Sequence, residues 1–194
     1  MGAAFVLLAI LPVGPVSWLA VTALSLYVIN TADASSSRRG ALILLAVTVP
    51  MFWSRLFFHF FAELILRIDA GLVGWILRSS RTGDVVEFAD ASGVLVILPG
   101  CSSLANVSLA VLCWVTVSQL VSHKKSAYDL FWCLMACISV VAVNVTRISF
   151  MGLSQWHYAM FHSWWGDAVA NTTILGLTVG FCVLGVRREL FRRI

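Results

Sequence analysis

Cys101, Arg147 and His162 carry side chains with the makings of a catalytic set. A cysteine thiolate is a nucleophile, a histidine exchanges protons near neutral pH, and an arginine inside an apolar run is a charge that asks for a role. Cys101 follows Pro99-Gly100 and precedes Ser102 and Ser103, where an extended stretch gives way to an apolar run. That context predicts a helix N-terminus, with Ser102 or Ser103 capping the first turn and unpaired N–H groups favouring the thiolate. A small buried cysteine at the end of a membrane span is the plainer reading of the same residues.

Arg147 stands near one end of an otherwise apolar run, with Asn144 one helical turn before it on the same face. An arginine in hydrocarbon costs roughly 2.5–3.5 kcal/mol unless it is paired or reaches water, so its presence there points to function. Snorkelling to the interface is the competing explanation. His162 sits among Phe161, Trp164 and Trp165 in a polar-aromatic segment that also holds His157. Such residues gather at headgroups in any case. His157 and His162 could instead bind a metal, but five residues apart they face different ways on a helix. Only Asp167 accompanies them, so no metal is expected. Arg55, His59 and Glu63 recur every fourth residue and share a helix face. They are read as a polar network or the wall of a substrate groove, with a snorkelling cluster equally open; Trp164 and Trp165 are further substrate-contact candidates.

The elements that position these residues are membrane spans. Of the 194 residues, 60% are hydrophobic and 11% charged, and the mean hydropathy is +0.95. A soluble domain of this length cannot hide so much apolar surface. A first apolar run, 3–30, is interrupted by Leu11-Pro12-Val13-Gly14-Pro15, which either kinks one span or separates a broken pair. The opening residues lack a basic stretch and a small-residue cleavage site, so no removable signal peptide is expected. A second run, 41–61, passes into a mixed segment in which Leu64, Ile65, Ile68, Leu72, Trp75 and Ile76 keep helical spacing. An amphipathic helix in the interface fits that pattern. Two extended stretches follow, at 85–88 and 94–98, then spans near 102–121, 130–150 and 168–186.

Eight of the 13 Lys and Arg residues occur as Arg38/Arg39, Lys124/Lys125 and Arg187/Arg188/Arg192/Arg193. Counting spans between them puts all three groups on one face, which the positive-inside rule makes cytoplasmic. The net charge of +4 is thereby a topology signal, and no nucleic acid is expected as partner. Cys101, Arg147 and His162 then share the opposite face. Five cysteines, four of them in apolar runs, suggest no disulfide framework, and Cys133 and Cys137 read as packing. The sequons at Asn106, Asn144 and Asn171 fall in or beside spans and are not read as glycosylation sites. The fold class expected is an all-α polytopic membrane protein: one integral-membrane domain over 1–194, with N-terminal span or spans in 1–40. It is a bundle of about five to six spans with an interfacial helix and an outward-facing site.

Pro99-Gly100-Cys101-Ser102-Ser103-Leu104, Asn144-Val145-Thr146-Arg147-Ile148 and Phe161-His162 before a final span resemble the exosortase/archaeosortase family in order and in topology. Arg81-Thr82-Gly83 and the extended run before the cysteine are similar as well. The resemblance covers about 41–194, with Ser103 standing where the family commonly has glycine. It implies a membrane cysteine transpeptidase or protease in the cell (cytoplasmic) membrane. Cys101 would attack a C-terminal sorting signal on the non-cytoplasmic side, His162 would act as acid and base, and Arg147, oriented by Asn144, would stabilise the oxyanion. Membrane-tethered substrate proteins and the lipid bilayer are the implied partners, and no cofactor is called for. The alternative class is a non-catalytic transporter or assembly factor, which would spread polar groups through the depth of its spans.

Overall fold

The computed structural model describes residues 14–122 and 126–191. The choice between a kinked span and a broken pair at the N-terminus lies outside the described residues, as do His123, Lys124, Lys125, Arg192 and Arg193.

Helix α1 (Gly14–Thr31) packs on α2 (Ser35–Thr48), which continues through a π-helical turn, Val49–Trp53, into α3 (Ser54–Leu77). Pro50 at the start of that turn lacks an N–H, which accounts for the local change in hydrogen-bond register. From Ser35 to Leu77 the path is about 65 Å at 1.5 Å per residue, twice the hydrocarbon thickness of about 30 Å. The helix bends at Phe61, whose φ of −119° and ψ of 17° are not helical. Beyond the bend, Leu64, Ile68, Leu72, Trp75 and Ile76 all face outward and exposed, while Leu66, Asp69, Ala70 and Val73 are buried. Five of the six residues of the expected stripe therefore face away from the protein, and Ile65 is half-buried.

Arg78, in the left-handed conformation with φ 54°, caps α3. Three short antiparallel strands follow: β1 (Arg81–Thr82), β2 (Val85–Glu87) and β3 (Val94–Val96), paired in that order. Gly83, at φ +66°, makes the β1–β2 turn, where a side chain would be strained. Arg81 lies across Gly71 and Gly74 of α3 and donates to the Arg67 carbonyl at 3.2 Å. The glycines give that arginine its seat. In the β2–β3 loop Asp90 accepts the Ser92 N–H at 3.0 Å. The Ser92 hydroxyl and N–H together hold the Asp90 carboxyl below its usual range, and nearby His157 adds to the effect.

A 3-10 turn, Pro99–Cys101, leads into α4 (Leu104–Leu120). Helix α5 (Ala127–Met151) begins with a capping box formed by Ser126 and Asp129. The 154–167 segment, expected as a loop, contains α6 (Gln155–Phe161), whose first turn is capped by Ser154. Helix α7 (Trp164–Phe191) closes the bundle against α5 and α4.

Four helices among the described residues are long and apolar enough to cross a membrane: Ser35–Leu77, Pro99–Leu120, Tyr128–Met151 and Trp164–Arg187. That is fewer than the five to six expected. The four correspond to the spans expected near 41–61, 102–121, 130–150 and 168–186. The difference lies in the N-terminal span or spans, since α1 is not among the four and the first thirteen residues fall outside the described ones. Large side chains on the outer surface, such as Phe60 at 71% exposure and Leu130 at 76%, fit a surface solvated by lipid. The main apolar core lies at one end. It is built from Leu66, Ala70 and Val73 of α3, Val86, Leu95 and Ile97 of the strand layer, and Val145, Ile148 and Met151 of α5. At the other end Arg39 hydrogen-bonds Ser122, bringing the start of α2 to the α4–α5 turn.

The two ends give a test. In a cysteine-free background, single cysteines at Ser92 and Ser122 should react with an impermeant maleimide from opposite sides of sealed vesicles. Labelling of both from one side would overturn the bundle's placement across the membrane.

Candidate active site

The Cys101 turn is fixed by hydrogen bonds from two other helices. Asn144 of α5 donates through Nδ2 to the Cys101 carbonyl at 2.7 Å and to Ser103 Oγ at 3.0 Å. Ser103 Oγ passes the chain on to Asp69 Oδ1 of α3 at 3.3 Å, and the Ser103 N–H donates to Asp69 Oδ2 at 3.3 Å. Asp69, Ser103 and Asn144 are all buried, at 4%, 5% and 3% exposure. A buried carboxylate is tolerable only because both its oxygens are bonded. Ser102 accepts the Leu104 N–H, the first of α4, at 3.3 Å. Ser103 is the N-cap residue by position but makes no capping bond; its hydroxyl belongs to the buried chain. Cys101 itself lies three residues before the helix, half-buried, packed against the main apolar core.

Arg147 is one turn beyond Asn144. Its guanidinium pairs through Nη2 with Asp167 at the start of α7 and reaches the Phe161 carbonyl at 3.5 Å. The arginine side chain is 17% exposed and its partner 51%, so the pair sits at the rim with the arginine inward. Arg147 Nε is buried and has no hydrogen-bond partner among the described residues. Unpaired buried donors are uncommon and ask for an explanation. A cavity of about 620 Å³ opens beside this arginine, lined mainly by apolar side chains of α5 and α7, with Phe150, Met160, Phe161 and Trp165 at its mouth.

His162 follows Phe161 directly and is the C-cap of α6, its N–H donating to the Tyr158 carbonyl at 2.9 Å. Its exposed imidazole stacks on the Tyr158 ring, with centroids 5.0 Å apart and planes at 13°. Tyr158 packs against the same apolar core as Cys101. Thus α5 reaches the cysteine turn through Asn144 and the histidine turn through Arg147. The corner carrying His162 is tight: a methyl group at Gly166 would collide with the Phe161 carbonyl.

The remaining candidates divide. Arg55 lines a recess of about 220 Å³ together with Phe58, Pro99 and Ser102, next to the cysteine turn. Trp165 lines the Arg147 cavity and stacks with Trp164, which is itself 68% exposed. His59 is exposed, with its ring against Phe60. Glu63 pairs with Arg67 in an exposed i, i+4 bridge beyond the Phe61 bend, so it does not join Arg55. His157 is bonded through Nδ1 to Ser154 Oγ at 2.8 Å. Among the described residues, no group of three or more His, Cys, Asp or Glu is placed to hold a metal ion.

Asp69 and Asp167 were not singled out as site residues from the sequence. Asp69 had a readable signal, since Leu66, Asp69, Ala70 and Val73 fall on one helix face. Asp167 had none, because its pairing with Arg147 spans 20 residues across a helix corner.

No protein-family model matches the chain, and no curated protein or solved structure matches it either.

Replacing Asn144 with Leu should destabilise the protein by about 1–3 kcal/mol, because the Cys101 carbonyl and the Ser103–Asp69 chain lose their donor. Gly166→Ala should cost about 1–3 kcal/mol through the backbone collision at Phe161. Thermal unfolding in detergent measures both. Wild-type melting in either variant would contradict the packing described.

Proposed function

We propose that the protein is a membrane cysteine transpeptidase or protease of the exosortase/archaeosortase kind. It would sit as a multi-pass protein in the cell membrane with its site on the non-cytoplasmic face. The observation that carries this reading is the pair of α5 side chains one turn apart. Asn144 holds the carbonyl of Cys101, and Arg147 reaches the carbonyl next to His162.

In the proposed reaction the Cys101 thiolate attacks the scissile carbonyl of a C-terminal sorting signal. The carbonyl oxygen becomes an oxyanion that takes its hydrogen bond from the guanidinium of Arg147, whose buried Nε is unengaged among the described residues. As the carbon–nitrogen bond breaks, His162 gives its proton to the leaving amine. The thioester left on Cys101 is then attacked by an acceptor amine or hydroxyl, or by water, which His162 deprotonates. Cys101 is released as thiolate and the histidine is protonated again. Asn144 is a positioning residue in this scheme, fixing the cysteine turn and the face of α5 on which Arg147 stands.

The substrate would be a membrane-tethered protein with an apolar tail. An apolar groove of about 460 Å³ runs between α3 and α4, walled by Trp53, Phe57, Phe60, Val107 and Val111. It shares Ser54 and Leu104 with the Arg55 recess at the cysteine turn. A tail helix lying there would deliver the residues that precede it to Cys101. No step calls for a metal or an organic cofactor.

A transporter is less well supported. Thr22, Ser25, Thr48, Ser108 and Ser118 all donate to carbonyls of their own helices. Among these groups only Thr22 adds a bond across elements, accepting from Trp53 Nε1 at 3.3 Å, which makes no continuous polar track.

With purified wild type, an impermeant thiol reagent should label Cys101, and labelling should slow at least several-fold in both His162→Ala and Arg147→Ala. Cys101→Ala should abolish processing of a co-expressed membrane substrate bearing an apolar, basic-ended tail. Undiminished processing would overturn the proposal.

A further inference from the structure

The inner half of the bundle holds four cysteines that the chemistry at Cys101 does not use. Cys113 of α4 and Cys182 of α7 face each other with their sulfurs 3.7 Å apart and in hydrogen-bond contact. Cys182 is fully buried and Cys113 half-buried, and both belong to a cluster with Trp114, Val186, Trp132 and Cys133. Cys133 and Cys137 stand one turn apart on α5, on the same side of the bundle.

The helices are close enough here for a covalent link. Gly185, one turn after Cys182, presents bare backbone to the Trp114 indole, and a methyl group there would collide with that ring. A disulfide needs its sulfurs at about 2.05 Å, so the two thiols must close by roughly 1.7 Å, within the reach of side-chain rotation. The surroundings also choose between the options open to a thiol pair. A metal dithiolate would bury charge among tryptophan and valine, and no group of three or more metal-ligating side chains is assembled among the described residues. A disulfide is neutral and fits an apolar interior. Cys133 and Cys137 also touch, but both stand on α5, so a link between them would join no two helices.

We infer that Cys113 and Cys182 form a redox-active dithiol that oxidises to an inter-helix disulfide, with a lipid-soluble quinone as the oxidant class. The half-buried Cys113 thiol gives the quinone one electron and its proton. The Cys182 sulfur bonds to the Cys113 sulfur, giving up its own proton and the second electron, with no covalent adduct on the quinone ring. Two S–H bonds are lost, one S–S bond forms, and the quinone takes up two electrons and two protons to become the quinol. The apolar surroundings admit such an oxidant and disfavour a charged one. The link would tie α4, which follows Cys101, to α7, which carries Asp167.

The test uses full-length protein in detergent, treated with tetramethyl-1,4-benzoquinone, whose ring has no open position for thiol addition. After denaturation and alkylation, the count of blocked thiols should fall from five to three. Peptide mapping should recover one linked pair, Cys113 with Cys182. In Cys133→Ser the count should still fall by two, while Cys113→Ser and Cys182→Ser should keep all four of their thiols. Five free thiols in the treated wild type, or a linked pair of any other composition, would overturn the inference. Because mapping is done on wild type, a variant that fails to fold does not remove the test.

Discussion

The Cys101 end of this bundle depends on the buried chain of hydrogen bonds running Asp69–Ser103–Asn144–Cys101 carbonyl. Apolar helices in lipid have no hydrophobic force that sets their rotation or height against one another, since lipid tails are as apolar as leucine. Directional bonds must do it. This chain joins α3, α4 and α5 through one residue from each, so a slip of any helix breaks it. The cost of burying a carboxyl group is what makes the joint specific: in this arrangement both Asp69 oxygens are satisfied, and a shift that broke those bonds would leave polar atoms unpaired in a dry core.

A second joint performs the same task between α5, α6 and α7. Arg147 is drawn by Asp167 at the head of α7 and by the carbonyl that closes α6. Gly166 lets α7 begin flush against that carbonyl, which leaves little freedom in the angle between the two helices. The two joints share α5, and their members are one turn apart on it. The face of a single helix thus sets the cysteine turn and the histidine turn together. That is a more exact device than two loops could supply, because α5 is fixed by its own ladder of backbone bonds.

The sequence made the spans legible wherever an apolar run ended at a clear signal. Pro99-Gly100 before α4 is such a signal; the Ser126 cap before α5 was not read, and that helix begins at Ala127 where a span near 130 was expected. The interfacial stripe of α3 was legible for the same reason, its period being that of a helix. What was not legible depended on contacts between distant segments. The three-stranded sheet needed Val86 to find Leu95, and the separate extended stretches did not say that they would pair. Helix α6 was hidden in a segment whose tryptophans and histidines read as an interfacial loop. The lone face Arg55, His59, Glu63 was broken by the bend at Phe61, a backbone change that side-chain spacing cannot announce. Within the site, the residue types were visible, but Asp167 came into view only when the α6–α7 corner was folded.

The bundle also divides its side chains by depth. Buried hydrogen-bonding groups gather at the Cys101 end, where α3 bends, the sheet covers the core and Arg147 meets its cavity. Toward the opposite end the buried contacts between α4, α5 and α7 are made by cysteine, tryptophan and valine, with Gly185 and Trp114 setting the closest approach. Such contacts hold helices together through dispersion and shape. The consequence is an asymmetry in what substitution can do. In that apolar cluster, volume-conserving changes should leave the helix packing intact. At the Cys101 end, removing one polar partner leaves another buried and unsatisfied, and the loss spreads through α5 to both turns. The same helix that gathers the candidate residues therefore also makes them interdependent.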